Sequence, residues 1–342
     1  MRGMMTFHTE SLNRMNQEIG GLYSDLINAL HTPINLNKKY SHILICGMGA
    51  SAIGGALFAD SMYYCSKVSV DVVKTMALPA WVSKDTLFVA CSYSGNTYET
   101  VKMYRQAIVA GLDVIAVTHG GKLEELSREN GNMLVKIGGD LIQPRSAIGW
   151  FIGLLGKIID QAGGPDLTRQ LELLLPKIET YKDEFEAEDS YARTIAQNLH
   201  GKTPVIYGAP DLESAALRMK TQLNEYSKVI AFSGVLPEFN HNEIVGWYDD
   251  PAKDHYHLLI MTDKAFEEIA KIIKASKNLL VSRDIDIDTL SVKGDSVLEK
   301  NIYAVMFGDY VSLYLAAIRE IDPCNVDPIV DIKGRMNKAL PQ

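Results

Sequence analysis

A cadence of short apolar runs and helical segments, played twice along the chain, constrains its fold more than any other feature. Residues 42–46 (HILIC), 68–73, 86–91 (TLFVAC), 113–117 and 133–137 are β-branched or apolar, and segments of helical length such as 98–110 separate them. Runs that are apolar throughout, without alternation, specify strands buried on both faces, and the strand–helix–strand order specifies a parallel sheet covered on both sides. A second series comes after it, with runs at 204–207 (PVIY), 228–232, 257–261 and 279–281 and a long helix over about 296–321. Each series opens with a strand, a short glycine-containing turn and a helix: ILICGMGASAIGG in the first, VIYGAPDLESAALRMK in the second. The fold class is therefore α/β with two related units, a repeat carried by the order of elements and not by residue identity.

A length of 342 residues suits two domains. Residues 1–37 carry helical apolar spacing and predict an N-terminal helical arm packed on the first domain. That α/β domain is expected over 38–163, where AGGP (162–165) breaks a long helix that starts near Ser146 after Pro144. A charged helical linker (164–190) leads to the second domain (191–342).

Acidic residues outnumber basic ones 42 to 34, for a net charge of −8, so neither nucleic acid nor an anionic membrane is an expected partner. The longest consecutive apolar run considered as a span, residues 147–156 (AIGWFIGLLG), stops at Lys157 and is too short to cross a bilayer. The N-terminus MRGMMTFHTESLNRMNQ lacks the apolar region and cleavage site of a secretory signal, and a cytoplasmic location is expected. Cys46, Cys65, Cys91 and Cys324 form no Cys-x-x-Cys pair and are expected to be small core residues.

Two loops carry the chemistry. Gly47-Met48-Gly49-Ala50-Ser51-Ala52 succeeds a strand and opens a helix, so its backbone N–H groups can meet an anion at the positive end of that helix. The same residues fit the permissive dinucleotide fingerprint, with Ala52 in the third glycine position and Asp71 as ribose ligand. The second loop separates the readings. Ser92-Tyr93-Ser94-Gly95-Asn96-Thr97 also lies between a strand and a helix, and the hydroxyls of Ser51, Ser92, Ser94 and Thr97 with nearby N–H groups suit a single phosphate. A dinucleotide site has no need of that second hydroxyl-rich loop.

GMGASAIGG, SYSGNTYET, PRSAIG, LNEYSK and FNHNEIVGW, in this order and at these separations, resemble the bifunctional phosphoglucose/phosphomannose isomerase family, built from two SIS (sugar isomerase) domains. SYSGNT marks the wider SIS group; Asn240-His241-Asn242-Glu243 narrows it. The resemblance implies two SIS-type parallel sheets, no cofactor, and a homodimer whose active site is shared between subunits, with the histidine contributed across the dimer.

Converting an aldose 6-phosphate to fructose 6-phosphate requires ring opening and then proton transfer between C2 and C1 through a cis-enediolate. The resemblance assigns Glu225 to the proton transfer and His241 to ring opening, where imidazole can donate and accept a proton near neutral pH; Asn242 and Glu243 are candidates to fix its tautomer. Arg145, in the Pro-Arg-Ser start of a helix, is the candidate to stabilise the enediolate with a permanent charge. Lys333 aligns with a lysine that assists ring opening, although Cys324 and Asn325 stand where the family frequently has threonine and proline. The enediolate is planar at C2, so reprotonation from either face gives the glucose or the mannose configuration.

His255-x-His257 with Asp249, Asp250 and Asp254 lacks a third ligand at motif spacing, and no metal is expected. Competing readings are a non-catalytic SIS regulator, an isomerase for another hexose or aminosugar phosphate, and a nicotinamide-dependent dehydrogenase.

Overall fold

The structure, a computed structural model, describes residues 2–141, 143–263 and 267–340. Helices α1 (Arg2–Gly20) and α2 (Leu22–His31) lead into a β/α succession: β1 (His42–Gly47), α3 (Ala50–Met62), β2 (Ser69–Val73), β3 (Thr86–Ser92), α4 (Tyr98–Val109), β4 (Asp113–Thr118), α5 (Gly121–Glu129) and β5 (Met133–Lys136). Helices α6 (Ile148–Gln161), α7 (Leu167–Glu186) and α8 (Tyr191–Asn198) come next. The second succession is β6 (Thr203–Gly208), α9 (Glu213–Glu225), β7 (Phe232–Val235), α10 (Glu243–Asp249), β8 (Tyr256–Thr262), α11 (Glu267–Val281), β9 (Ile287–Ser291), α12 (Val297–Ile318) and α13 (Asp327–Ala339).

Both sheets are parallel throughout, in the orders β2-β1-β3-β4-β5 and β7-β6-β8-β9. The shared order 2-1-3-4 is the repeat that the opening motifs announced. In the first sheet every residue of β3 is buried. Leu44, Cys46, Phe88 and Ala90 point to the face covered by α4 and α5. On the opposite face α3 approaches so closely that a Cβ on Gly55 would sit 2.8 Å from Ile45 Cδ1, while one on Gly54 would sit 3.1 Å from Phe151 of α6. Glycine at these two places is what lets helix and strand pack at contact distance.

By internal contacts the chain forms two compact units, each assembled from three segments. One holds the first sheet (Ser24–Gly55, Ser66–Glu172, Cys324–Gln342) and the other the second sheet (Met1–Tyr23, Ala56–Cys65, Leu173–Pro323). The segment read as a single arm, residues 1–37, is divided between them. Helix α1 packs on α12 of the second-sheet unit, whereas the end of α2 belongs with the first sheet, held by Lys157 Nζ donating to the carbonyls of Leu30 (2.7 Å) and Thr32 (2.6 Å).

Within the second-sheet unit, α12 is long and apolar enough to cross a membrane by length and composition, but 89% of that stretch is buried; it is the core helix on which α8 and α9 pack. Its start is capped by Ser296, whose side chain accepts from the Glu299 N–H at 3.2 Å. Two strand expectations are corrected. Residues 279–281 are the last turn of α11, with only Leu280 of the three buried. The second strand of the sheet begins at Phe232, because residues before it complete the exit from α9, where Lys228 takes φ +52°.

Candidate active site

In the first sheet the chain goes from β1 outward to β2, then crosses back to β3 on the other side of β1. The connections therefore diverge above β1 and β3, the place where open α/β sheets bind ligands. The two expected phosphate loops leave these adjacent strands, and Gly47 is paired in register with Cys91. A Cβ on Gly47 would lie 3.0 Å from the Cys91 carbonyl and 3.1 Å from the Ser51 backbone, so a larger residue would crowd the turn against its neighbour. Gly49 is exposed at the turn, and Ser51 is buried in the first turn of α3.

The second loop is closed from within. Ser92 Oγ lies 2.9 Å from Thr97 Oγ1 and accepts from the Gly95 N–H at 3.1 Å. Ser94, exposed at the tip, accepts from Asn96 N–H at 3.3 Å. Thr97 stands at the N-cap of α4 without capping it through its side chain. The hydroxyls of Ser92 and Thr97 are thus paired at the mouth of a helix whose first-turn N–H groups lack helical acceptors, an arrangement suited to a small anion. Gly95 has φ +68°, and a Cβ there would fall 1.7 Å from the Gly120 carbonyl. The loop after β4 is bound in as well: Asn96 Oδ1 accepts from Lys122 N–H at 3.0 Å.

Arg145 lies in the same unit, in a short 3₁₀ turn (Pro144–Ala147) ahead of α6, and is 5% exposed. Two contacts fix the chain leading to it. Tyr93 bonds the backbone at Gly139 and Leu141, and Gln143 Nε2 donates to the Cys324 carbonyl at 2.6 Å. The second contact joins this turn to the C-terminal segment. Lys333 is on the exposed helix α13 of that segment.

Glu225 and His241 belong to the second-sheet unit. Glu225 ends α9 and is half-buried. Lys228 Nζ, which spacing alone did not single out, donates to the Glu225 carbonyl and to that of Pro323 at 3.4 Å. His241 ends the 3₁₀ turn Glu238–His241 and is exposed. The neighbours expected to set its tautomer are engaged elsewhere. Asn242 Nδ2 donates to Glu238 Oε1 (2.7 Å), and Glu243 Oε2 accepts from the Tyr207 hydroxyl (2.6 Å), itself an acceptor for Trp247 Nε1 at 3.2 Å. This network anchors α10, none of whose residues is buried, to strand β6.

Other candidates are accounted for by packing. Burial pushes the Cys46 thiol up to about 12 and that of Cys91 well above its ordinary value, which leaves both as inert core groups. His257 Nε2 is 2.8 Å from Asp288 Oδ2, and His255 lies in the separate 3₁₀ turn before β8. Asp71 sits in mid-strand, opposite Leu44 and three residues below the Gly47 turn, out of register with a ribose ligand at the strand end.

Residues 188–336 match the model of the bacterial phospho-glucose isomerase C-terminal SIS domain. The chain is 35% identical over 300 residues to a bifunctional phosphoglucose/phosphomannose isomerase of Thermoplasma acidophilum, covering 87% of this chain and 90% of the relative. The chain belongs to the bifunctional phosphoglucose/phosphomannose isomerase family. Another member of this isomerase family, from Aquifex aeolicus, is 32% identical over 87% of this chain and 91% of its own. A D-glucosamine-6-phosphate 4-epimerase of Sulfolobus acidocaldarius is 33% identical over 70% of this chain and 74% of its own. Solved structures share the fold of this chain. A hypothetical protein of Thermus thermophilus superposes with a TM-score of 0.76 at 15% identity, covering 99% of this chain and 96% of that one. The C-terminal domain of a glucosamine-fructose-6-phosphate aminotransferase from Francisella tularensis gives 0.68 at 15% identity, over 90% and 96%.

Proposed function

We propose that this chain interconverts glucose 6-phosphate and mannose 6-phosphate with fructose 6-phosphate, without a cofactor or metal. The observation that carries the reading is the pair of hydroxyl-bearing loops above β1 and β3, in a chain of the bifunctional isomerase family. Gly47, Gly49, Ser51, Ser92, Ser94 and Thr97 hold the phosphate, whose two charges are met by the N-termini of α3 and α4. The net charge of −8 is no obstacle to so small an anion.

In this scheme His241, assisted by Lys333, passes a proton to the ring oxygen and accepts one from the C1 hydroxyl, opening the sugar. Glu225 removes the C2 proton and returns it to C1, and Arg145 stabilises the enediolate charge between these steps. The half-burial of Glu225 fits a base partly withdrawn from water, and the burial of Arg145 fits a charge held in a fixed place. A homodimer supplies His241 to the site of the opposite subunit. Exposed apolar side chains in the same unit support this: Ile230 is 73% exposed, Phe232 52% and Val245 69%, on segments before and after His241 that a second copy would cover. The protein works in the cytoplasm on a small soluble substrate.

The test is fructose 6-phosphate formation from each sugar phosphate in a coupled assay. Turnover of neither at high enzyme concentration refutes the proposal. The epimerase relative motivates one alternative, an aminosugar phosphate substrate on the same phosphate loops; preference for glucosamine 6-phosphate over both hexose phosphates would establish it. Thermal stabilisation by sugar phosphates without any turnover would instead indicate a binding regulator.

A further inference from the structure

Tyr93 lies within the hydroxyl loop, yet its side chain serves a different segment. It is 9% exposed. Its hydroxyl donates to the Gly139 carbonyl at 3.1 Å and accepts from the Leu141 N–H at 3.0 Å. Its ring stacks on that of His119 with centroids 5.2 Å apart and planes 12° apart. The His119 N–H donates to the Tyr93 carbonyl at 3.0 Å, and its Nδ1 lies 3.1 Å from the Ile137 carbonyl. In the same segment, a Cβ on Gly138 would meet the Trp150 ring at 2.7 Å. Residues 137–141 are therefore held by two stacked rings from the loops after β3 and β4 and by an indole from α6. Four residues beyond Leu141 is Arg145.

The residue immediately before Tyr93 is Ser92, whose hydroxyl pairs with Thr97. One dipeptide thus touches the expected phosphate through its first side chain and the approach to the guanidinium through its second. We propose that Tyr93 is a positioning residue: it fixes Arg145 relative to the bound phosphate, so that the charge falls on C1–C2 when the sugar is anchored at its far end. The proposal rests on the isomerase reading above. Tyr93 itself touches no reacting atom; its contribution is orientation, which governs how well a fixed charge meets a developing one.

The test is Tyr93→Phe in the full chain, which keeps the stacked ring and removes the bridging hydroxyl. The expected result is a fall in kcat of about 10- to 100-fold on glucose 6-phosphate, with KM and the inhibition constant of inorganic phosphate within about twofold of the parent. Affinity for a pentonate 5-phosphate, whose carboxylate carries charge where the enediolate develops it, falls in proportion to kcat. Amide exchange rises in residues 138–147 and not in 97–104. Unchanged kcat with unchanged exchange overturns the proposal, as does a rise in the phosphate inhibition constant that accounts for the whole loss. If Tyr93→Phe does not fold, His119→Ala removes the stacked partner and is expected to shift the same quantities in the same direction. Wild-type inactivity on both sugars would refute the isomerase reading, and the exchange and pentonate-binding arms would still decide the clamp.

Discussion

Gly95→Ala tests the phosphate loop most directly, because the magnitude can be worked from the backbone. Gly95 has φ +68°, a conformation that costs an L-residue about 1–2 kcal/mol. The new methyl would also lie 1.7 Å from the Gly120 carbonyl oxygen and 2.9 Å from Thr118 Oγ1. The nearest of these is backbone, so the loop after β3 and the loop after β4 must part by about 1.5 Å to reach ordinary contact, an overpacking penalty of about 1–3 kcal/mol. The sum, about 2–5 kcal/mol, falls on a segment whose hydroxyls must stay in place, and a displacement near 1 Å costs about 100-fold in rate. Gly111→Ala is the control: its φ is +69°, with nothing within 4 Å of the added Cβ. It shares the backbone strain and lacks the overlap. Melting temperature and kcat/KM on glucose 6-phosphate, measured on both variants, should show a modest loss of stability alone for Gly111→Ala and a large loss of both for Gly95→Ala. Equal effects in the two variants, or an unchanged KM in Gly95→Ala, would refute the assignment of this loop to phosphate.

Glu225→Gln should lower kcat by about 100- to 10,000-fold on both sugars while the phosphate inhibition constant stays near wild type, checked by steady-state kinetics. His241→Asn and Glu225→Gln chains, each inactive alone, should regain up to about a quarter of wild-type activity after co-refolding, since half of the dimers are mixed and each then holds one intact site; no recovery would place both residues in one subunit's site. Asp60 is raised from 3.8 to about 6, first by burial and then by its acidic neighbours Glu213 and Asp211, with the Ser214 N–H opposing. A raised carboxyl favours folding below its unfolded value and loses that contribution as pH climbs through about 6. Asp60→Asn, which can still accept the Ser214 N–H, should therefore raise the melting temperature at pH 7, by at most about 3 kcal/mol of stability, and leave little gain at pH 4.

Where the chain repeats a strong local signal, the structure was legible in the sequence. The runs at 42–46 and 86–91 are buried on both faces and read as strands for that reason, and the order of elements carried the doubled α/β design. Residues 279–281 misled because a three-residue apolar run has no period, so the end of an amphipathic helix and a short strand look alike. β9 (IDTLS) was missed because only Leu290 of its five residues is buried, leaving no apolar run to find. The glycines and hydroxyls of the loops after β1 and β3 announced themselves through spacing. The Tyr93 clamp did not, since its partners lie 46 and 48 residues away, and no local pattern encodes a tyrosine's distant hydrogen bond. Nor could spacing show that Asn242 and Glu243 turn from His241 toward Glu238 and Tyr207.

The three-segment make-up of each unit bears on how the protein is made. The first-sheet unit includes Cys324–Gln342, and the Cys324 carbonyl receives the Gln143 amide next to Arg145. On the ribosome, all five strands of that sheet emerge long before the segment that completes their unit. The nascent first sheet must wait for the entire second sheet to be synthesised, its unit unfinished while about half of the chain is added. A chain released at residue 323 would carry both sheets and lack the Cys324 carbonyl that holds Gln143, two residues before Arg145.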